Sequence, residues 1–228
     1  MEQAIREIKV GVIIPSRGKE RPRFLENCWR QIKTQTLQPE WVTIQNYDAE
    51  SIYKDITQRY RRGYDRLRGC ELDIIALMED DEFYAPDYLE YMVGKWIEYG
   101  KPQLFGTSFN WYYNLRMKAY HKMEHHTQSH AMSTLIKPDI NFPWCPDNEA
   151  FTDVYLWNLR SHLKGIIFTP DHNIAICMKH GVGLTGGNSH RHDDARYINK
   201  DPNMDWLRAQ LTPESFDFFS TYFSMQNT

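Results

Sequence analysis

The length, composition and charge of the chain describe an ordinary globular protein and exclude several classes. With 228 residues, 41% of them hydrophobic, the chain can bury a sizeable core in one domain. The formal net charge of −3 gives no overall nucleic-acid signature, no apolar run approaches the roughly 20 residues of a membrane span, and the N-terminus lacks the apolar region of a secretory signal, so a cytoplasmic location is expected.

The first hundred residues alternate between short apolar runs and helical periodicity. A helix at 51–68, for example, is indicated by Ile52, Ile56, Tyr60 and Tyr64, which recur every four residues. Alternation of this kind implies right-handed crossovers and a parallel sheet. The predicted strands are 10–14, 41–44 and 74–78, and the other predicted helices are 22–34 and about 86–99.

Beyond Gly100 the pattern changes. The four cysteines are dispersed without a C-x-x-C pair, which disfavours a zinc knuckle or a disulfide framework. No internal repeat or linker divides the chain, so we expect a single α/β domain with a mixed central sheet flanked by helices. The later predicted strands are 104–110, 131–136, 165–169 and 174–178, with a helix at 147–163.

Consecutive acids follow the apolar run at 74–78: Glu79, Asp80, Asp81 and Glu82. Crowded carboxylates repel one another, so a positive partner is expected nearby. In open α/β sheets ligands bind at the carboxyl ends of the strands, and Mg²⁺ or Mn²⁺ favours carboxylate oxygen. The alternative is a solvated acidic turn that precedes a helix beginning near Asp87.

Two segments with basic residues could supply the positive partner that these acids require. Residues 59–68 contain five arginines interleaved with tyrosines. They could hold a diphosphate or a nucleic-acid backbone, with Arg62 or Arg66 turned inward, or they could form a solvated helix face. Residues 179–194 combine glycines, a lysine and three histidines, which suits anion binding and an imidazole metal ligand.

Two further patterns leave alternatives open. Residues 147–154 place acids at the start of a helix, where a carboxylate could act as a general base or where Thr152 or Asp153 could simply cap the helix. The segment H-R-H-D-D near the C-terminus resembles the H-x-H-x-D-H pattern of binuclear zinc hydrolases, but Ala195 stands in place of the final histidine.

Taken in order, these segments resemble a nucleotide-sugar glycosyltransferase of the GT-A fold, close to family 2, over roughly residues 10–192. The resemblance rests on V-G-V-I-I-P-S-R-G, like the first strand and turn that meet the nucleotide, and on L-M-E-D-D-E-F-Y-A-P-D-Y-L, like the D-x-D motif with its trailing aromatic residue. Glu79 stands where the family has Asp, and the Q-x-x-R-W acceptor motif and the membrane helices of processive members are absent.

The resemblance implies a role for each matched position. Asp81 would bind the metal, with His180 or His190 completing the site. Asp153 would be the catalytic base if the enzyme inverts configuration, and it would have no such role if the enzyme retains configuration. The donor would be bound by the following residues, to which the arginine-rich segment adds Arg66: Pro15, Ser16, Arg17, Asp48, Glu79 and Asp80.

The implied reaction moves one hexosyl or pentosyl group, with Mn²⁺ or Mg²⁺, from a nucleoside-diphosphate sugar to a hydroxyl acceptor. That acceptor could be a glycan, a lipid-linked group, a protein or a hydroxymethylated DNA base. Residues 1–100 would form the nucleotide-binding half, and 101–228 the acceptor half with a metal and phosphate loop. The alternatives are a nucleotidyltransferase of similar fold and a nucleic-acid-binding module that uses residues 59–68.

Overall fold

Two β-sheets organise the fold in the computed structural model, which describes residues 2–47, 55–140, 144–147, 151–158, 165–181 and 195–226. In chain order the strands are β1 (Val10–Ser16), β2 (Trp41–Asn46), β3 (Ile74–Leu77), β4 (Phe83–Tyr84), β5 (Leu104–Thr107), β6 (Phe109–Asn114), β7 (Ala119–Glu124), β8 (Thr134–Ile136), β9 (Ile166–Phe168), β10 (Ala175–Lys179) and β11 (Asn199–Lys200).

The helices lie mostly between strands of the first sheet. They are α1 (Glu2–Arg6), α2 (Pro22–Lys33), α3 (Ile56–Leu67), α4 (Tyr88–Glu98), α5 (Thr152–Asn158), α6 (Asp205–Gln210) and α7 (Pro213–Gln226), with a 3₁₀ turn at Ala131–Ser133. Among the described residues, no helix combines the length and apolar composition needed to cross a bilayer.

The first sheet has six strands in the order β2-β1-β3-β8-β5-β9. Strands β2, β1 and β3 are mutually parallel, with Val12 opposite Val42 on one side and Ala76 on the other. Strand β8 runs antiparallel to both β3 and β5, and β9 is parallel to β5. The predicted mixed sheet flanked by helices is therefore confirmed, as is the parallel pairing of its first three strands.

Helices cover both faces of this sheet, which explains the continuous apolar run of β1. Val10, Val12 and Ile14 belong to a core cluster that includes residues of α2 and α4. Ile13 faces the other way, in a cluster with residues of α3. The helix can approach because Gly63 has no side chain: a Cβ there would lie 2.4 Å from Ile13 Cγ2.

The second sheet, in the order β11-β7-β6-β10-β4, was not expected. The predicted strand at 104–110 is wrong in its extent, because the chain leaves the first sheet at Ser108 and continues in the second as the β6–β7 hairpin. Strand β10 lies parallel to β6 and antiparallel to the two-residue β4. As a result, the end of β10 comes beside the acids that precede β4.

Other element boundaries also moved. The predicted strand at 131–136 begins with a 3₁₀ turn and becomes β8 only at Thr134. Strands predicted at 165–169 and 174–178 correspond to β9 and β10. Of the helix predicted at 147–163, the described part with helical structure is α5, and α3 begins at Ile56, with 51–54 outside the described residues.

Candidate active site

The four acids lie where the sequence placed them, directly after β3 and at the carboxyl ends of the parallel strands β1, β2 and β3. Asp80 is fully buried there. Its Oδ2 accepts hydrogen bonds from Ser16 Oγ at 2.7 Å and from the backbone N–H of Arg17 at 3.3 Å. Asp80 and Ser16 therefore tie the end of β3 to the end of β1.

Arg21 supplies the positive charge that the crowded acids require. Its Nη2 lies 2.9 Å from Asp80 Oδ1, and its Nη1 lies 2.5 Å from Asp81 Oδ2. Burial acts to lower the pKa of Arg21, but the carboxylates of Asp81 and Asp80 outweigh burial and raise it. The guanidinium is therefore a permanent cation between two carboxylates.

Asp81 is the acid best held in its charged form. His180 Nε2 lies 2.9 Å from the Asp81 Oδ2 that also meets Arg21. Although burial acts to raise the pKa of Asp81, Arg21 and His180 lower it well below its usual range. The His180 ring is buried against Phe24, with ring centroids 4.4 Å apart, and burial lowers the pKa of His180. A neutral imidazole is the form that binds metal.

Glu82 is held by the end of β10. Its carboxylate accepts from Cys177 Sγ at 3.1 Å and from the backbone N–H of Met178, and its Oε1 lies 3.7 Å from Lys179 Nζ. Burial and the charge of Asp81 raise the pKa of Glu82 to about 7, against the lowering effect of Lys179. Burial acts to lower the pKa of Lys179, but its neighbours Cys177 and Glu82 raise it, so the lysine stays cationic.

A pocket of about 140 Å³ opens beside these acids. Tyr60 Oη donates to Glu79 Oε1 at 3.3 Å in its wall. Burial, with the charges of Glu82 and Asp81, raises the pKa of Glu79 to about 8. The lining residues are Ile56, Tyr60, Glu79, Glu82, Tyr112, His130, Ala131, Met132, Phe151, Thr152, Asp153, Cys177 and Lys179.

Asp153 reaches this pocket from the first turn of α5. Burial raises its pKa, which makes the ionised carboxylate a stronger proton acceptor than an exposed aspartate. Phe151, 58% exposed, lines the same pocket. A potential base and an aromatic surface therefore share one pocket with Glu79 and Lys179.

The acids fit a hard divalent cation in their chemistry. One carboxylate oxygen from each of Glu79, Asp81 and Glu82 lies within 4.8 Å of the others, and Mg²⁺ and Mn²⁺ prefer such oxygens. Both oxygens of Glu82 already accept from or pair with β10. Glu82 is thus the member of the group with both oxygens engaged, and His180, although it lies beside Asp81, is not part of the group.

The other residues predicted to bind the sugar donor or the metal lie in separate parts of the chain. Pro15 is buried within β1, opposite Gln45 of β2. Arg17 places its guanidinium carbon 4.3 Å from the ring centroid of Tyr47, just past the end of β2. Arg66 is exposed on α3 and is not among the residues that line the pocket. Asp48 and His190 lie outside the described residues.

Three of the five arginines at 59–68 form ion pairs with acids. Arg59 pairs with buried Asp55 at 3.0 Å, Arg61 with Asp147 at 2.6 Å and Arg68 with Asp65 at 3.8 Å. These partners reduce the positive field that a nucleic-acid-binding surface would require.

Arg21 is the residue that sequence reasoning missed. The need for a cation beside consecutive acids was evident, but the sequence offers many arginines and lysines. Arg21 contacts Asp80 across 59 positions of the chain. Only the approach of the loop after β1 to the end of β3 identifies it.

Comparisons with known proteins give a limited result. No family model and no curated protein matches the chain. Similar solved structures include TarS 1-349 from S. aureus in complex with UDP, with 12% identity, a TM-score of 0.48, and coverage of 75% of this chain and 60% of that one. The same protein in complex with UDP-GlcNAc has 14% identity and a TM-score of 0.47, and the match covers 81% of this chain and 62% of that one. The chain thus spans less than two thirds of these TarS structures, and agreement at this level transfers no residue roles.

Proposed function

We propose that the protein is a glycosyltransferase that moves one sugar from a nucleoside-diphosphate sugar to a hydroxyl acceptor. The observation that carries this proposal is the convergence of Glu79, Asp153 and Lys179 on one pocket, with Asp81 beside Glu79. The pocket contains ionisable groups of both signs, held at unusual pKa values, which is typical of a catalytic site.

Residues from both halves of the chain line the pocket, as expected if one half binds the donor and the other binds the acceptor. Glu79 and Tyr60 come from the half assigned to the donor, whereas Asp153 and Phe151 come from the half assigned to the acceptor. We assign the nucleoside to the edge formed by Arg17 and Tyr47, and Asp48, which follows Tyr47 in the sequence, keeps its predicted role in binding the nucleotide. Ser16 and Asp80 fix the end of β1, from which the Arg17 side chain extends.

The leaving diphosphate develops negative charge as the bond to the sugar breaks. A bound Mn²⁺ or Mg²⁺ would be held by Asp81 with His180 and Glu79, and it would neutralise part of that charge. Lys179 is a cation already in the pocket wall and is fixed by Glu82. It stabilises the same charge without needing to move into position.

Asp153 takes the proton from the acceptor hydroxyl as its oxygen attacks the anomeric carbon. The proton moves to the Asp153 carboxylate, the new glycosidic bond forms, and the bond to the diphosphate breaks on the opposite face, so the product has inverted configuration. Phe151 offers an apolar face at the pocket mouth on which a sugar ring or a base can stack.

The state of the cysteines is relevant to the cellular compartment of the protein. Cys28, Cys70, Cys145 and Cys177 are all unbridged, which supports a reducing, cytoplasmic compartment.

A thermal-shift panel of UDP, GDP, CMP, ADP and TDP, each with and without Mn²⁺, tests the proposal. One nucleotide should stabilise the protein strongly only when Mn²⁺ is present, because a metal held by Asp81 would offset the negative charge of the bound phosphates. Asp81→Asn should lose this shift, whereas the exposed Asp65→Asn should keep it. Stabilisation by none of the nucleotides, in either condition, would overturn the proposal.

A further inference from the structure

Arg21 occupies one of the two carboxylate oxygens of Asp81 that an incoming cation could use. Its Nη1 and His180 Nε2 both meet the same oxygen, Asp81 Oδ2, and these two nitrogens are 3.4 Å apart. The candidate ligands Asp81 and His180 therefore already share a cation, and this cation belongs to the chain itself.

The guanidinium is a built part of the site. The Arg21 side chain is 9% exposed, and among the described residues its buried Nε finds no hydrogen-bond partner. Its guanidinium carbon lies 5.4 Å from the ring centroid of Phe24, in the first turn of α2. A buried donor left without a partner is unfavourable, so the two carboxylates account for why this side chain is drawn in.

The two carboxylates hold Arg21 unequally. Asp80 is fully buried and has two further donors, Ser16 Oγ and the Arg17 N–H, which fix it in place. Asp81 is 14% exposed and is the member of the pair that also belongs to the group of possible metal ligands. The contact with Asp81 is the shorter of the two, but Asp81 has fewer further donors to fix it in place, so this is the contact that a competing cation can open while Arg21 stays on Asp80.

We propose that Arg21 is the resident counter-ion of the Asp80–Asp81 pair, and that a divalent cation binds at Asp81 only by displacing the Arg21–Asp81 contact. Arg21 thereby sets the affinity of the site for metal. This inference rests on the metal assignment in the proposed function. Its physical basis is like-charge repulsion, since a guanidinium and a dication cannot both approach one carboxylate oxygen without a large electrostatic penalty.

The test measures the affinity for Mn²⁺ alone, by electron paramagnetic resonance of free Mn²⁺ added to the metal-free full chain. Arg21→Gln should bind Mn²⁺ about tenfold more tightly or better, because the competing charge is gone. Arg23→Gln removes an equal charge from an exposed position two residues away and should change the affinity by less than about threefold, since exposed charges are screened. Equal or weaker binding in a folded Arg21→Gln protein would overturn the proposal.

The wild-type protein gives a second test if the Arg21→Gln variant does not fold. In crystals soaked with Mn²⁺, the ion should sit on Asp81, with Arg21 still on Asp80 and no longer in contact with Asp81. An ion on Asp81 with the Arg21–Asp81 contact intact would overturn the inference, and so would the absence of Mn²⁺ from the site.

These measurements need no nucleotide sugar, so they separate the two proposals. If Arg21→Gln tightens Mn²⁺ binding but the nucleotide panel shows no shift, the counter-ion role stands and the transferase proposal fails. If a nucleotide binds and the Mn²⁺ affinity is the same in the wild type and in Arg21→Gln, the transferase proposal stands and the counter-ion role fails.

Discussion

Replacing Asp81 by Asn should destabilise the protein measurably, even without metal. The amide oxygen can still accept from Arg21 and His180, but the negative charge is lost. Each hydrogen bond then falls from the range of about 1.5–3 kcal/mol for a charged partner to about 0.5–1.5 kcal/mol for neutral groups. Over two bonds, the free energy of unfolding should drop by about 2–3 kcal/mol, or roughly 4–12 °C in Tm for a chain of this size.

The assay is urea unfolding followed by far-UV circular dichroism at neutral pH in EDTA. Asp65→Asn is the matched control, because Asp65 is 58% exposed and 3.8 Å from Arg68. A pair of that kind contributes less than about 1 kcal/mol. If Asp81→Asn changed stability no more than the control does, the buried ion pairs around Arg21 would not be stabilising, and the reasoning would be refuted.

Three further predictions concern other parts of the chain. Gly63→Ala should cost about 1–3 kcal/mol because its Cβ would meet Ile13, whereas Gly69→Ala, which faces open space, should be nearly neutral in the same urea assay. The pKa of Glu79, raised from 4.5 to about 8, means that the folded state holds a proton the unfolded state releases, so wild-type stability should fall as pH rises through that interval. Glu79→Gln should flatten this fall in urea titrations, and identical slopes would contradict it. Asp153→Asn should slow sugar transfer by about 10²–10⁴-fold with little change in donor binding, and an unchanged rate would exclude Asp153 as the base.

The first sheet could be predicted because burial on both faces leaves a clear mark on sequence. Strands such as β1 and β3 are unbroken apolar runs, and their order along the chain implies parallel pairing. The second sheet left no comparable signal. Apolar or aromatic residues stand on both sides of Ser108, and the change of sheet there depends on which strands are available to pair.

Some residues of the candidate site could likewise be predicted from the sequence, and others could not. The acids at the end of β3 could be predicted from position alone, because they follow directly on the strand. Asp153 could only be suggested, since its presence in the pocket depends on how α5 packs. The partners Arg21 and Lys179 are separated from Asp81 and Glu82 by 60 and 97 positions (81 − 21; 179 − 82). Long-range contacts of that kind are fixed by tertiary structure.

The most direct measurement of the central claim is release of nucleoside diphosphate from a panel of nucleotide sugars, with water taking the place of the acceptor. We predict slow release from one donor, dependent on Mn²⁺ and lost in Asp81→Asn. Release of pyrophosphate from a nucleoside triphosphate, with no turnover of any nucleotide sugar, would contradict the account and indicate a nucleotidyltransferase.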